Sequence, residues 1–319
     1  MVTRVGAAMW LAAALAGCAG TPEVDPRYRP VESVLEVLAV LQRHVPDDTY
    51  RFAPARDFTG RNVYRSSLLR LENLERLHAD ALRAGHMDGV IAFGKARALE
   101  RLGAFDLAEA AYRLAAERDP DLAAEALRSA DVCAAIHDAI GVTADVTGAQ
   151  PAGGERLEVL SPDVALARFE ARAAALEELL DAVHGTHHTA VVREQIERGD
   201  VLRARYFVRL RAVVPDGDLR AVGELQRVVA SHGDSRLAPR HLLDLANFYA
   251  ELSGEYVEEH PPESLDFDPA EFRDLVDSGA RLYEMVAARD GTPEKIEATR
   301  RLEAFLAFAL GVDRDRFTP

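Results

Sequence analysis

Three histidines stand within five residues of each other, in the stretch His184-Gly185-Thr186-His187-His188. His184 and His188 have the four-residue spacing at which two histidines on one helix face bind zinc in metalloproteases. Gly185 stands where such a site needs its glutamate, and a glycine there interrupts a helix. We therefore expect these histidines to lie in a joint after a helix with solvated imidazoles, and we expect no metal site and no cofactor.

Other stretches with possible chemistry are less specific. An acidic segment that could bind a cation weakly contains Glu255, Glu258, Glu259, His260 and Glu263, but we interpret it as a solvated loop. A basic patch formed by Arg51, Arg56 and residues 59–65 either docks an acidic partner or begins a helix with exposed arginines. No acid/base pair and no nucleophile with a matching base can be assigned. We expect no catalytic residues and no enzymatic activity.

The surroundings of Cys18 carry a more specific signal. A short basic start precedes an almost wholly apolar run over residues 5–16, which is typical of a secretory signal. That run is too short to cross a bilayer, for which about 20 apolar residues are needed. The sequence Leu15-Ala16-Gly17-Cys18 resembles the lipobox of bacterial lipoproteins, in which cleavage exposes a cysteine that is acylated. The alternative is an ordinary secretory signal with an incidental cysteine.

This resemblance implies a signal peptide over residues 1–17, lipidation of Cys18 by chains such as palmitate, and a lipidated tether over residues 18–30. Each buried methylene contributes about 0.8 kcal/mol, so several acyl chains would give stable anchoring. Ala19 follows the cysteine, which resembles the outer-membrane sorting signal of Gram-negative lipoproteins. We predict a lipid-anchored protein of the cell envelope, at the outer membrane and facing the periplasm.

Charge and cysteine content narrow the partners. The formal net charge is −15, and an acidic surface argues against nucleic acid as a partner. Cys133 is the only cysteine besides Cys18, so a monomer has no structural disulfide and must rely on a hydrophobic core. We expect Cys133 itself to be buried. Nothing in the sequence fixes the oligomeric state.

The hydrophobic pattern predicts helices throughout the chain, and strand-like alternation is nearly missing. Ser161, Asp268 and Thr292 each precede a proline, the arrangement of an N-cap followed by proline at the first helical position. The predicted helices are near residues 31–44, 61–84, 88–102, 105–118, 121–138, 162–183, 188–213, 217–231, 236–253, 268–289 and 292–310. A glycine-rich stretch divides them, which predicts an N-terminal half (31–141), a flexible linker (142–160) and a C-terminal half (161–319).

Residues 89–122 carry a recognisable repeat. Small or aromatic core residues, a turn glycine and a closing proline follow a fixed spacing: Ala96, Leu99, Gly103, Phe105, Ala108, Tyr112, Ala115 and Pro120. This pattern resembles one tetratricopeptide repeat (TPR), a 34-residue helix-turn-helix unit. The unit departs from the family pattern at Ala92, which stands where the family has tryptophan, and at Lys95, which replaces an apolar residue.

A weaker repetition relates two later helix pairs. Six positions recur after 57 residues: Leu225, Val229, Ala230, Leu245, Phe248 and Ala250 match Leu282, Val286, Ala287, Leu302, Phe305 and Ala307. Any two amphipathic hairpins rich in alanine and leucine could align this well. Together the repeats predict an all-α fold of helical hairpins stacked as a TPR-like α-solenoid.

By resemblance to TPR arrays, the first helix of the unit lines a concave groove. The residues expected to point into it and contact a partner are Val90, Phe93, Arg97, Glu100 and Arg101. The alternative is that this face packs on residues 61–84. We interpret the chain as a TPR-containing lipoprotein, a non-catalytic scaffold that binds an envelope protein or peptide. The alternative function is an accessory component of an envelope transport system that binds a small ligand or lipid.

Overall fold

The computed structural model describes residues 29–146 and 161–315. Within these ranges the chain is all-α, as predicted, and contains no β-strand. The helices are α1 (Pro30–Asp47), α2 (Val63–Ala84), α3 (Asp88–Leu102), α4 (Phe105–Arg118), α5 (Ala123–Gly141), α6 (Pro162–Ala182), α7 (His188–Leu210), α8 (Gly217–Ser231), α9 (Ala238–Glu259), α10 (Pro269–Ala287) and α11 (Pro293–Asp315). Cys18, the predicted signal peptide and residues 147–160 of the predicted linker lie outside the described residues.

Each helix packs on the next along the chain, and α1 with α3, α5 with α7 and α9 with α11 add contacts between second neighbours. This order of contacts is that of stacked helical hairpins, in which each unit buries its apolar face against its neighbours. The predicted solenoid-like arrangement is therefore confirmed.

The hairpin formed by α3 and α4 shows why the repeat pattern has its spacing. Ala96, Ala108 and Ala115 are fully buried, so the two helices approach closely. Gly103 ends α3 in the left-handed conformation with φ +80°, which only glycine adopts without strain. Lys95, the unexpected polar residue of the unit, pairs with Glu75 of α2 at 3.0 Å.

Helix ends lie within three residues of their predicted positions, except at the C-terminal ends of α9 and α11. Ser161 and Asp268 accept hydrogen bonds from backbone N–H groups of the first turns of α6 and α10. Helix α1 runs three residues past the predicted end, to Asp47, although Pro46 in its last turn lacks the N–H for an intrahelical hydrogen bond. Helix α9 continues through Gly254 to Glu259, so three residues of the predicted acidic loop, Glu255, Glu258 and Glu259, are helical. That part of the loop prediction is wrong.

The core divides along the chain. Helices α3 to α7 share a cluster centred on small residues and Tyr112, and it includes Cys133, which is fully buried as predicted. Helices α9 to α11 share a cluster rich in aromatic rings. Among the described residues, no helix is long and apolar enough to cross a membrane.

Candidate functional site

A groove lies between α1, α3, the start of α5 and the joint that connects α6 to α7. Its volume is about 690 Å³. Its wall is largely apolar, and the ionisable groups in it are Arg97, Glu125 and His187. The lining residues are Leu38, Leu41, Gln42, Val45, Pro46, Val90, Phe93, Gly94, Arg97, Leu122, Glu125, Gly185, Thr186 and His187. We call this cavity the α1–α3 groove.

Three of the five predicted groove residues, Val90, Phe93 and Arg97, line it. Phe93 packs edge-on against Tyr112, with ring centroids 5.4 Å apart. The Arg97 guanidinium lies 5.3 Å from the centroid of the Phe93 ring, a cation–π distance. It also donates to Nδ1 of His187 at 3.1 Å and to Glu125 at 3.4 Å. The wall of the groove is thus held in place by contacts on three sides.

Glu100 and Arg101, the other two predicted residues, do not point into an open groove, and that expectation is wrong. Glu100 is buried, and the Arg101 side chain is only 3% exposed. Arg101 forms an ion pair with Asp48, which follows α1, and its guanidinium lies 5.7 Å from the Tyr64 ring centroid. A segment of the chain itself covers this end of α3.

That segment is the first part of the α1–α2 loop, residues 48–52. The Tyr50 hydroxyl lies 2.6 Å from Nδ1 of His232, and the Tyr50 carbonyl accepts from the N–H of Arg236. Arg51 pairs with Asp234 at 2.7 Å. The loop therefore connects the first hairpin to the joint between α8 and α9, about 180 residues later. Part of the predicted basic patch is accordingly engaged within the protein.

Glu194 of α7 joins the two ends of this connection. Its Oε1 lies 3.8 Å from Arg101 and 2.5 Å from Arg236. These contacts form a line of alternating charges that begins at the buried pair of Asp48 and Arg101 and continues through the partly exposed Glu194 and Arg236. Buried charges are tolerated only when they are paired, so this line fixes the loop against α3, α7 and the joint between α8 and α9.

The order of groups in Tyr50, His232 and Asp200 is that of a nucleophile, a base and an orienting acid. His232 Nε2 lies 2.8 Å from Asp200. Burial, with a further contribution from Glu197, raises the pKa of Tyr50 to about 12. At neutral pH the hydroxyl is therefore protonated and can donate to Nδ1 of His232. The chain of hydrogen bonds accordingly holds the loop in place.

The histidine cluster differs from its predicted environment. His184 is exposed in the joint between α6 and α7, as expected, whereas His187 is largely buried and His188 is buried. Both contact Glu100: His187 Nε2 lies 3.2 Å from Oε1, and His188 Nε2 lies 3.3 Å from Oε2. The expectation of solvated imidazoles is therefore wrong for these two residues. One sequence signal was available, because His188 recurs with the buried Val191 and Gln195 on one face of α7.

Glu100 is ionised in this setting. Burial opposes its charge, but His188, His187 and Arg97 outweigh burial and lower its pKa to about 2. The Tyr112 hydroxyl donates to Oε2 at 2.8 Å. Burial and the nearby Arg97 lower the pKa of His187 to about 3, although Glu100 acts in the other direction, so its imidazole is neutral at pH 7.

A second cavity of about 680 Å³ lies beneath the α1–α2 loop, against α6, α7 and α8. Its wall is charged, with Arg172, Asp200 and Arg227 among the lining residues. It does not have the apolar character that a lipid or a hydrophobic ligand requires. The α1–α3 groove is therefore the better binding cavity for an apolar group.

Comparisons with known proteins give no family assignment. No model of a known protein family matches the chain, and no curated protein matches it in sequence.

Proposed function

We propose that this protein is a lipid-anchored, non-catalytic scaffold that binds an envelope protein or peptide through the α1–α3 groove. The observation that carries the proposal is the groove itself, whose mostly apolar wall includes Val90, Phe93 and Arg97. Aromatic and arginine side chains dominate the binding energy of many interfaces. The resemblance of residues 89–122 to a tetratricopeptide repeat supports the proposal, because arrays of that family bind peptides on the corresponding helix face.

The side chains that line the α1–α3 groove indicate the chemical character of the partner. Leu38, Val45 and Val90 offer apolar contacts, so the occupant presents apolar side chains. Arg97 is shared between His187 and Glu125, which leaves its charge partly compensated. We therefore expect affinity to come chiefly from apolar burial, with Arg97 favouring an acidic or carbonyl group in the occupant.

Attachment to the membrane is the second part of the proposal. The short apolar run and the small residues before Cys18 support cleavage at that cysteine, its lipidation, and a position at the outer membrane facing the periplasm. Cys18→Ala should move the protein from the membrane fraction to the soluble fraction of cells of the source organism. A wild-type protein that keeps Met1 in purified membranes would contradict this part.

The groove is tested by photocrosslinking in the same cells, with a benzophenone amino acid at Pro46, an exposed residue of the groove wall. We expect adducts with one reproducible envelope protein. Gln42→Trp fills the groove and should reduce those adducts about tenfold, corresponding to about 1.4 kcal/mol. Arg43→Trp is the matched control, because Arg43 is exposed on the same helix outside the groove wall. Equal loss in both variants would refute binding in the groove.

A second candidate function is binding of a small apolar ligand or lipid, as an accessory component of a transport system. The volume of the α1–α3 groove favours it, since pockets for small ligands measure about 300–1,000 Å³. The same crosslinking distinguishes the two. Adducts with the mass of a lipid or solute, again lost in Gln42→Trp, would support this candidate and exclude the protein partner.

A further inference from the structure

Beside the groove, three buried side-chain atoms converge on one point. They are Oε1 of Glu100, Nε2 of His187 and Nε2 of His188, and none of them has a hydrogen-bond partner. One ligand atom from each residue lies within 4.8 Å of the others. Buried polar atoms are rarely left unsatisfied, and three at one place require an explanation.

Hydrogen bonds within the cluster do not supply that explanation. The two imidazole nitrogens lie 3.2 and 3.3 Å from the carboxylate oxygens, yet none of these contacts has the direction of a hydrogen bond. A tetrahedral zinc ion with bonds of about 2.0–2.1 Å holds its ligand atoms about 3.4 Å apart. The distance of 3.2 Å from His187 Nε2 to Glu100 Oε1 is close to this value, His188 Nε2 lies 3.3 Å from the second carboxylate oxygen, and the three ligand atoms lie within 4.8 Å of one another.

The surrounding structure holds the three groups in position. Glu100 is fixed by the Tyr112 hydroxyl at 2.8 Å. Gly185 adopts φ +79°, which turns the chain between α6 and α7, and the His187 and His188 rings then lie 3.7 Å apart. Hydrogen bonds to ligand side chains are what orients them in metal sites.

We propose that Glu100, His187 and His188 bind one divalent transition-metal ion of the zinc type. Two imidazoles and a carboxylate are a ligand set that zinc uses. The site would tie α3 to the start of α7. This inference is independent of the proposed function, because it requires no partner in the groove.

The positive charge of Arg97 repels a metal ion at this site and lowers the affinity of the site for it. Its donation to Nδ1 at 3.1 Å places the proton of neutral His187 on Nε2. When the metal binds Nε2, that proton moves to Nδ1, with no net release. The guanidinium then turns to Glu125, already 3.4 Å away. Removal of the Arg97 charge should therefore strengthen binding.

The test uses the purified full-length protein, stripped of metal with a chelator and titrated with Co²⁺ and then Zn²⁺. We expect one equivalent of Co²⁺ to give a tetrahedral d–d absorption spectrum, displaced by Zn²⁺, and Zn²⁺ to raise the unfolding temperature. His188→Ala should abolish all three signals. His184→Ala is the control, because His184 is exposed in the same joint and should change none of them.

Arg97→Gln provides a gain-of-affinity test that misfolding cannot imitate. A glutamine carbonyl accepts from Nδ1–H, so the affinity for Zn²⁺ should rise about tenfold or more. The absence of stoichiometric binding in the wild type, or a weaker affinity in a folded Arg97→Gln variant, would overturn the site. Either result leaves the groove proposal standing, since crosslinking at Pro46 uses no metal.

Discussion

The two ends of α3 differ in what covers them. Toward the start of α3, Val90 and Phe93 line an open groove, whereas two turns later Arg101 is enclosed. All three were expected on the same concave face. The difference comes from residues 48–52, which cover one end of the helix and leave the other uncovered. A groove in a helical array is therefore defined as much by what the chain inserts into it as by the repeat.

Among substitutions at the two ends of α3, we expect Arg101→Ala to have the largest effect on stability. The substitution leaves Asp48 buried without its cation, and loss of one partner of a buried pair costs about 3–5 kcal/mol. Urea unfolding of the variant should show this loss. A loss below about 1 kcal/mol would mean that residues 48–52 do not close this end of α3.

Acid should weaken the other attachment of the loop. Burial opposes ionisation of Asp200, but hydrogen bonds from His232 and Arg227 dominate and lower its pKa below the ordinary 3.8. Asp200 therefore binds a proton less readily in the folded state than in the unfolded state. The stability that its ionised carboxylate contributes is complete above pH 3.8 and is lost as the pH falls through the lowered pKa.

Asp200→Asn should cost about 1–3 kcal/mol at pH 7, because it leaves the partly exposed Arg227 and the buried His232 with a weaker acceptor. Its free energy of unfolding should also fall less steeply than that of the wild type below pH 3.8. Parallel pH profiles for the two proteins would show that this carboxylate is not coupled to folding.

The smallest effect is expected at the open end. The Glu125 side chain is 43% exposed and pairs with Arg97 across the groove wall. Glu125→Gln should change the free energy of unfolding by less than about 0.5 kcal/mol, since exposed ion pairs contribute little. A loss of unfolding free energy as large as that of Arg101→Ala would mean that the open and the covered end of α3 do not differ in this way.

Local signals predicted most of the fold. Apolar spacing and N-cap residues such as Ser161 and Asp268 located every helix of the described chain, because these signals act within one or two turns. The packing of Ala96, Ala108 and Tyr112 followed from the repeat pattern. The extension of α9 beyond Gly254 was missed because the aromatic contacts of Tyr256 outweigh the low helix propensity of glycine.

Only part of the site was predicted, because some of its contacts join residues that are far apart in the sequence. Val90, Phe93 and Arg97 reach the groove because the repeat sets the face of the helix that they share. The contacts of Glu100 with His187 and of Tyr50 with His232 join residues about 90 and 180 positions apart. Spacing within a helix carries no information about such partners, so a buried glutamate and two buried histidines were mistaken for surface residues.

Residues 48–52 also affect how the protein unfolds. An array held only by contacts between neighbouring hairpins can fray from its ends, one unit at a time. Here the first hairpin cannot detach without releasing Tyr50 from His232 and Arg51 from Asp234. Hydrogen exchange of α1 and α2 should therefore share the opening free energy of α8 and α9, so the terminal hairpin behaves as part of one cooperative unit.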